Sequence, residues 1–591
     1  MAGNSIAILP FVNLSNDPEQ DYFGEGLAEE IINALTKIDG LLVTARTSSF
    51  AFKGRAMDIR EIGQQLGVAN VLEGSIRVAG QRVRITAQLI HVEDGFHLWS
   101  DNFDRLLDDI FAVQDEISLL IADKIREHSS HFEIADHLVT IPQVPAAVYQ
   151  DYLRARHLVH KLNRDDVQKG IGILENLTEA YPHFAAPFLQ LCFAYTFMGG
   201  FGVLPASYAF ARSRSFLSRV PAIEKQSPEY LLRLAGLAYW QDWNLPEALD
   251  YLEQVLRQQP GNAEAHLWMG VCLATIGRFD TAHAALDRAM LLDPFSVLIH
   301  DFKGVTHYFA GEYEEAIAYF RRCLALDPNF HMSHINWAAA ELMQGKLQAG
   351  LQRFQNLPPS GQGDLSILGG TLLAKAMQGD LQEVYAKLPL LEAALDTEVG
   401  DRAYFFLILI YTTLNQHEKA LSLLEEAVRS RMSMLIALPV EPFVKPLHAY
   451  PAFQQIVGQL KQLPEQEHAT QAEKAPLTNS ADMDALDQLM CTQQPYLDPQ
   501  LSLRKLAALA GHHPNYLSRL INECTGKNFA EYTNTYRLQA FARSAEDPAK
   551  QQLTLLALAY ECGFNSKTVF NTFCKKATGL TPGAYWKSLC E

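Results

Sequence analysis

The sequence predicts a multidomain chain of mixed class: an α/β domain first, an all-α repeat solenoid next, and a small all-α domain with a double helix-turn-helix last. Three observations predict it. Residues 1–128 alternate strand-like, β-branched runs with amphipathic helical ones. Gly236, Gly270 and Gly304 recur at a step of 34 residues, as do Ala248, Ala282 and Ala316, and Pro260, Pro294 and Pro328. The stretches 503–521 and 555–573 each read as a short helix, a Gly and a second helix. A length of 591 residues accommodates several domains of about 100–200 residues, and 48% apolar residues supply their cores.

In the first segment, Ser5 to Phe11 reads as a buried strand and Asn13 to Pro18 as a turn-rich loop. Leu27, Ile31, Ile32, Leu35 and Ile38 stand at helical spacing, so Gly26 to Ile38 is a helix. Leu41 to Thr44 is a strand and Asp58 to Leu66 a helix. Val68 to Val78 and Gln81 to Val92 alternate around Ala79-Gly80 as a hairpin. Phe111 to Ile125 closes the domain as an amphipathic helix. The loop Arg46 to Lys53 carries hydroxyls and two cations. It suits either an anion or a plain structural cap, and it lacks the Gly-rich phosphate cradle G-x-x-x-x-G-K-[ST]. On Ile6 to Phe11, Asn13-Leu14-Ser15, Gly26, Glu29-Glu30, Arg46 to Phe50, Gly67-Val68, Val71 to Arg77 and Leu98-Trp99, residues 1–128 resemble the TolB amino-terminal-like domain. The resemblance implies an α/β fold and no chemistry.

Residues 146–462 read as helix throughout. A 34-residue period, with small residues where helices cross and Pro at the repeat end, is the tetratricopeptide signature. Gly and Ala allow close approach, and Pro stops the second helix of each pair. The pattern predicts seven to nine stacked pairs. Trp240, Trp243, Trp268, Tyr308, Tyr313 and Trp337 are candidates either for a concave lining or for the core between repeats. Such arrays bind peptides or protein segments, so a protein or peptide partner is expected. Residues 463–484 lose periodicity and are polar, which predicts a flexible linker.

Residues 485–591 form the last unit. From residue 501 on there are 11 Lys and Arg against 6 Asp and Glu, in a chain whose formal net charge is −18. A basic module on an acidic body suits local phosphate contact, because the body repels nucleic acid. Gly511 and Gly563 fit helix ends, Pro514 fits a first turn, and Asn565 or Ser566 fits a cap. Leu506-Ala507, Gly511, Tyr516 to Leu520, Tyr532, Arg537-Leu538, Ala557, Tyr560-Glu561, Gly563 to Ser566, Phe570, Phe573, Lys575-Lys576, Thr578 to Pro582 and Tyr585 resemble the DNA-binding domain of AraC/XylS regulators. The resemblance implies a central helix near Phe529 to Ala545 that holds both second helices against one side of a duplex. It places Asn515, Ser518 and Arg519 at base-reading or phosphate-contacting positions. Arg519 also stands four residues from Glu523 and can pair with it. In the second unit Lys567, Thr568, Asn571 and Thr572 are expected outward, with Lys575 and Lys576 beyond them. Thr572 stands where the family often has Arg, which shifts this unit toward phosphate contacts.

The expectation is a bacterial, cytoplasmic, sequence-specific transcription regulator of AraC type that binds double-stranded promoter DNA. Its α/β and repeat regions would sense a protein partner or effector, and a homodimer is open. The alternative is a tetratricopeptide scaffold with weak or vestigial DNA binding. Eight Cys form no C-x-x-C pair and stand beside no His cluster, so neither a metal site nor another cofactor is expected. No P-loop, nucleophile elbow, H-E-x-x-H or paired-aspartate cyclase pattern is present, so no catalytic residue is expected. The longest apolar run, Tyr404 to Tyr411, falls far short of the ~20 residues that span a bilayer.

Overall fold

The computed structural model describes residues 3–590 except 16–20, 56, 107–109, 129–131, 136–137, 139–143, 161–163, 201–203, 359–362, 396, 398–399, 431, 433–434, 461–479, 548–549 and 551–552. Its first part is a mixed sheet. Strand β1 (Ser5–Ile8) lies parallel to both β3 (Leu42–Val43) and β4 (Asn70–Ala79), and β2 (Val12–Asn13) pairs with the far end of β4. β4 and β5 (Arg82–His91) form the expected hairpin, with Ala79 opposite Arg82, and β6 (His97–Leu106) adds to β5. The order is β3-β1-β4-β5-β6.

β1 is covered on both faces, which explains its unbroken apolar run. Ile6 and Ile8 face the core built with α1 (Asp21–Leu35) and α4 (Ile110–His128), while Ala7 and Leu9 face α3 (Ile59–Leu66). Strand β6 had no sequence signal. It is an edge strand with exposed polar residues such as Ser100, Asp101 and Asn102, so the burial that writes alternation into a sequence is missing.

The expected loop at Arg46 is instead a short helix, α2 (Arg46–Phe50). Its cations are already answered. Arg46 pairs with Glu25 and Glu29 at 3.4 and 3.1 Å, and Lys53 pairs with Asp21 and Glu25 at 3.0 and 2.8 Å. The structural reading of this segment is therefore the one the geometry favours.

Eight helix pairs follow among the described residues. They are α5 (Ala146–His160) with α6 (Arg164–Ala180), α7 (Ala185–Gly200) with α8 (Ala206–Ser218), α9 (Pro228–Trp240) with α10 (Leu245–Gln258), and α11 (Ala263–Thr275) with α12 (Phe279–Leu292). Then come α13 (Val297–Ala310) with α14 (Tyr313–Leu326), α15 (His331–Met343) with α16 (Leu347–Gln355), α17 (Gly363–Gln378) with α18 (Leu381–Glu392), and α19 (Gly400–Thr413) with α20 (His417–Arg429). α21 (Pro451–Leu460) ends the array.

The periodic residues do what their sizes require. A Cβ on Gly270 would lie 2.6 Å from Leu286, and one on Gly304 would lie 2.5 Å from Phe320. Ala248, Ala282 and Ala316 are fully buried. The sequence reading missed a further periodic feature: Nε2 of His266, His300 and His334 meets the carbonyl of Pro260, Pro294 and Pro328 at 2.9, 3.0 and 2.9 Å. Each link fixes the turn between successive pairs. Of the aromatic candidates, Trp240 and Tyr308 are buried and belong to the core between repeats.

Candidate nucleic-acid interface

The C-terminal unit contains α22 (Ser480–Gln493), α23 (Leu503–Ala510), α24 (Pro514–Thr525), α25 (Phe529–Ala545), α26 (Leu555–Glu561), α27 (Lys567–Thr578) and α28 (Pro582–Cys590). Polar side chains fix the helix starts. Ser502, Thr554 and Ser566 accept from the backbone of Lys505, Ala557 and Val569. Ser566 thus takes the cap for which Asn565 was the other candidate. Asn528 and Glu531 form a reciprocal capping box at the start of α25. Gly511 ends α23 at φ 70°, as its left-handed role requires.

The two units are joined through α25. Leu506, Leu517, Leu520, Ile521, Phe541 and Phe570 are fully buried. Phe541 and Phe570 meet as tilted rings at 4.9 Å and Phe564 and Phe570 at 5.0 Å, which ties the second unit to the central helix. Arg537 is a brace rather than a surface cation. Its Nε donates to the Tyr496 carbonyl at 2.8 Å and its Nη2 to the Asp498 carbonyl at 2.9 Å. Burial pulls its pKa down to about 10, against the pull of Asp498.

The expected linker 463–484 is corrected at its end. Residues 480–484 open α22, because Met483, Leu486 and Met490 repeat at helical spacing and are buried in the same core. The Tyr532 and Tyr536 hydroxyls both donate to Asp487 at 2.6 Å, which holds α22 on α25. Residues 463–479 lie outside the described residues.

The predicted contact residues divide. Lys567, Thr572 and Lys575 are exposed, and Thr568 and Asn571 are half-buried on α27. Lys576 is exposed and pairs with Glu531. On α24, Arg519 is half-buried, with Nε 2.7 Å from Glu523. Of the roles open to Arg519, the intramolecular pair is the one present in the free chain. Ser518 is a correction. It was expected outward but is only 7% exposed, because it follows Leu517 by 100° and precedes Ile521 by one turn, both core positions. Asn515 lies in α24, and its side chain falls outside the described residues.

The module does not hang on a tether alone. The Leu503 backbone N–H donates to Glu127 at 2.9 Å, Arg504 pairs with Asp123, and Asn528 donates to the His128 carbonyl at 3.1 Å. All three partners are on α4. No sequence pattern announced this contact.

The class defined by these features is a tetratricopeptide protein carrying an α/β domain and a paired helix-turn-helix module. Family models agree in three places: a helix-turn-helix domain matches residues 506–588, tetratricopeptide repeats match 239–304 and 302–330, and the second domain of HilA/YgeH-like transcriptional regulators matches 2–120. That last match falls on the residues expected to form a TolB amino-terminal-like domain and names a different family there. A Rhizobium meliloti protein named as an adenylate cyclase is 42% identical over 187 residues, 32% of each chain. The transcriptional regulator HilA of Salmonella typhimurium is 21% identical over 328 residues, 55% of this chain and 51% of its own. The chain thus spans about a third to a half of the length of these curated relatives. Among solved structures, the human IFIT1 dimer with m7Gppp-AAAA aligns over 48% of this chain and 72% of its own, at 16% identity and a TM-score of 0.35. No helix among the described residues is long and apolar enough to cross a membrane.

Proposed function

We propose that the chain is a bacterial transcription regulator of AraC type that binds double-stranded promoter DNA in a sequence-specific way, and that it is not an enzyme. The observation that carries this reading is the paired helix-turn-helix, whose second helices α24 and α27 are set by one central helix on a locally basic unit. A helix fits the major groove and reads base edges from its first turns. Asn515 and Arg519 would read or grip DNA from the first unit, and Ser518 would support them from the edge of the buried face. Lys567, Thr568, Asn571, Thr572, Lys575 and Lys576 would contact it from the second, mainly at phosphate. The N-terminal domain and the repeats would take a protein partner or an effector. The regulator domain matched at residues 2–120 supports that division.

The scaffold alternative keeps one specific support: Arg519 is held by Glu523, and Thr572 offers no long cation. Genome-wide mapping of the sites bound by the full chain, followed by anisotropy titrations on one such site and on a shuffled duplex, decides. The regulatory reading expects affinities at least a thousand-fold apart at physiological salt. Equal affinity for both duplexes leaves the scaffold reading standing.

A further inference from the structure

We propose that the solenoid contains a binding site for a small organic acid with a compact apolar body, its carboxylate received by Arg402. The first helices α9, α11, α13 and α15, with α19 and the segment 436–441, surround a cavity of about 150 Å³. Its wall is mostly apolar, with Val271, Phe302, Ile335, Phe405 and Leu438 contributing. An apolar cavity of ~150 Å³ accommodates a molecule the size of benzene.

Arg402 lines the same cavity and is only 5% exposed. Its Nη1 donates to Ser366 Oγ at 2.7 Å, and among the described residues no carboxylate pairs with it. Burial holds its pKa below the usual guanidinium range. A buried cation without a counter-charge destabilises a fold. Its presence in the wall of a cavity of ligand size therefore points to an anion supplied from outside. The guanidinium fork matches a carboxylate with two parallel hydrogen bonds. Two acids also line the cavity, each hydrogen-bonded by neutral groups. Asp301 accepts from Ser333 and Asn336, and Glu441 accepts from Tyr308. Burial raises them to about 6 and about 7. Both acids are thereby shifted toward the neutral form, whereas a guanidinium stays charged, so the cation is the group that calls for a counter-charge and the ligand is an acid and not an amine.

Such a ligand would bridge α9 and α11 to α19 and the 436–441 segment, across most of the array. As an effector site it rests on the regulatory reading; as a binding site it does not, and it is tested without DNA. The probe is benzoate, titrated into the full chain by calorimetry and by thermal denaturation. Benzamide, benzylamine and inorganic phosphate serve as the neutral, cationic and bodiless controls. Benzoate should bind saturably with Kd at or below ~1 mM, since even modest ligand efficiency gives that for nine heavy atoms. It should bind at least ten-fold tighter than benzamide or benzylamine, and phosphate should not bind. Arg402→Gln should bring benzoate to the level of benzamide, while Arg402→Lys, which keeps a cation without the guanidinium fork, should fall between the parent and Arg402→Gln. If Arg402→Gln does not fold, the comparison of benzoate with benzamide on the parent chain decides alone. Benzamide or benzylamine binding as well as benzoate overturns the proposal, and so does the lack of a saturable benzoate signal up to ~10 mM.

Discussion

At Gly563 the backbone runs at φ 90°, and a Cβ would sit 2.1 Å from the Tyr496 carbonyl oxygen and 2.9 Å from the Leu497 Cα. Gly511, its counterpart in the first unit, stands at φ 70° with open space around it. Both were legible as helix-ending glycines, but only the structure separates them, because the close approach comes from the Tyr496 segment more than sixty residues earlier in the chain. Gly511→Ala should cost about 1–2 kcal/mol, the penalty of left-handed backbone for a residue with a Cβ. Gly563→Ala should cost more, since backbone must also move. Chemical denaturation followed by circular dichroism checks the order, and equal losses would contradict it. Arg519 and Glu523 pose a second question at this scale. An i,i+4 pair on a helix surface contributes about 0.3–0.5 kcal/mol, less than the 1–3 kcal/mol of a good base contact. DNA can therefore draw Arg519 away from Glu523. Arg519→Ala should narrow the gap between operator and shuffled DNA, and Glu523→Ala should leave operator affinity equal or slightly raised. A tenfold loss in Glu523→Ala would show instead that the pair positions the helix.

Among the elements, α25 was expected from the family resemblance near its observed ends, Phe529 and Ala545. The hairpin β4–β5 and the 34-residue helix pairs were legible from the residues themselves, because local periodicity and burial coincide there. Strand β6 and helix α22 were not. The first buries too little to alternate. The second begins in a polar stretch, and only Met483, Leu486 and Met490 betray it. The placement of Ser518 failed for a related reason: one helical position decides between surface and core edge, and propensity does not resolve it. α22 makes a further difference measurable. A fragment 480–591 should fold and keep the affinity of the intact module for DNA. A fragment 495–591 loses those three buried side chains and the Asp487 partner of Tyr532 and Tyr536. It should be less stable by several kcal/mol, on the scale of about 1.5–3 kcal/mol per buried side chain. Equal melting of the two fragments would mean that α22 is an ornament of the module.

Across the whole molecule, two groups of polar contacts among the described residues join the N-terminal domain to the solenoid. His157 of α5 meets Glu25 at 2.8 Å, and Arg156 meets Glu29 and Glu30 at 3.3 and 2.9 Å. Burial opposes ionisation of Glu25, yet His157 and Lys53 hold it down to about 2. In the other group Asp293, at the end of α12, accepts from the Ser48 backbone at 3.0 Å and from the Ser48 hydroxyl, and the Ala45 N–H reaches the Leu292 carbonyl at 2.8 Å. Burial raises Asp293 from 3.8 to about 6, against the lowering by Ser48. The folded state therefore binds this proton more tightly than the unfolded one. The stability it adds is fully present below about 3.8, falls as pH rises, and is lost above about 6. By linkage the swing is about 3 kcal/mol. Asn in its place keeps the acceptor oxygen for Ser48 and carries no charge at any pH. Asp293→Asn should therefore gain on the parent chain as pH goes from 5 to 7.5, with the difference in denaturation midpoint moving in its favour. Other groups titrate in this window, and His160 and His331, lowered to about 4 by burial, act in the opposite sense. Their contribution is common to both proteins and cancels in the difference. A difference that stays flat from pH 5 to 7.5 would show that Asp293 is ionised throughout and that the junction at Ser48 tolerates a buried carboxylate.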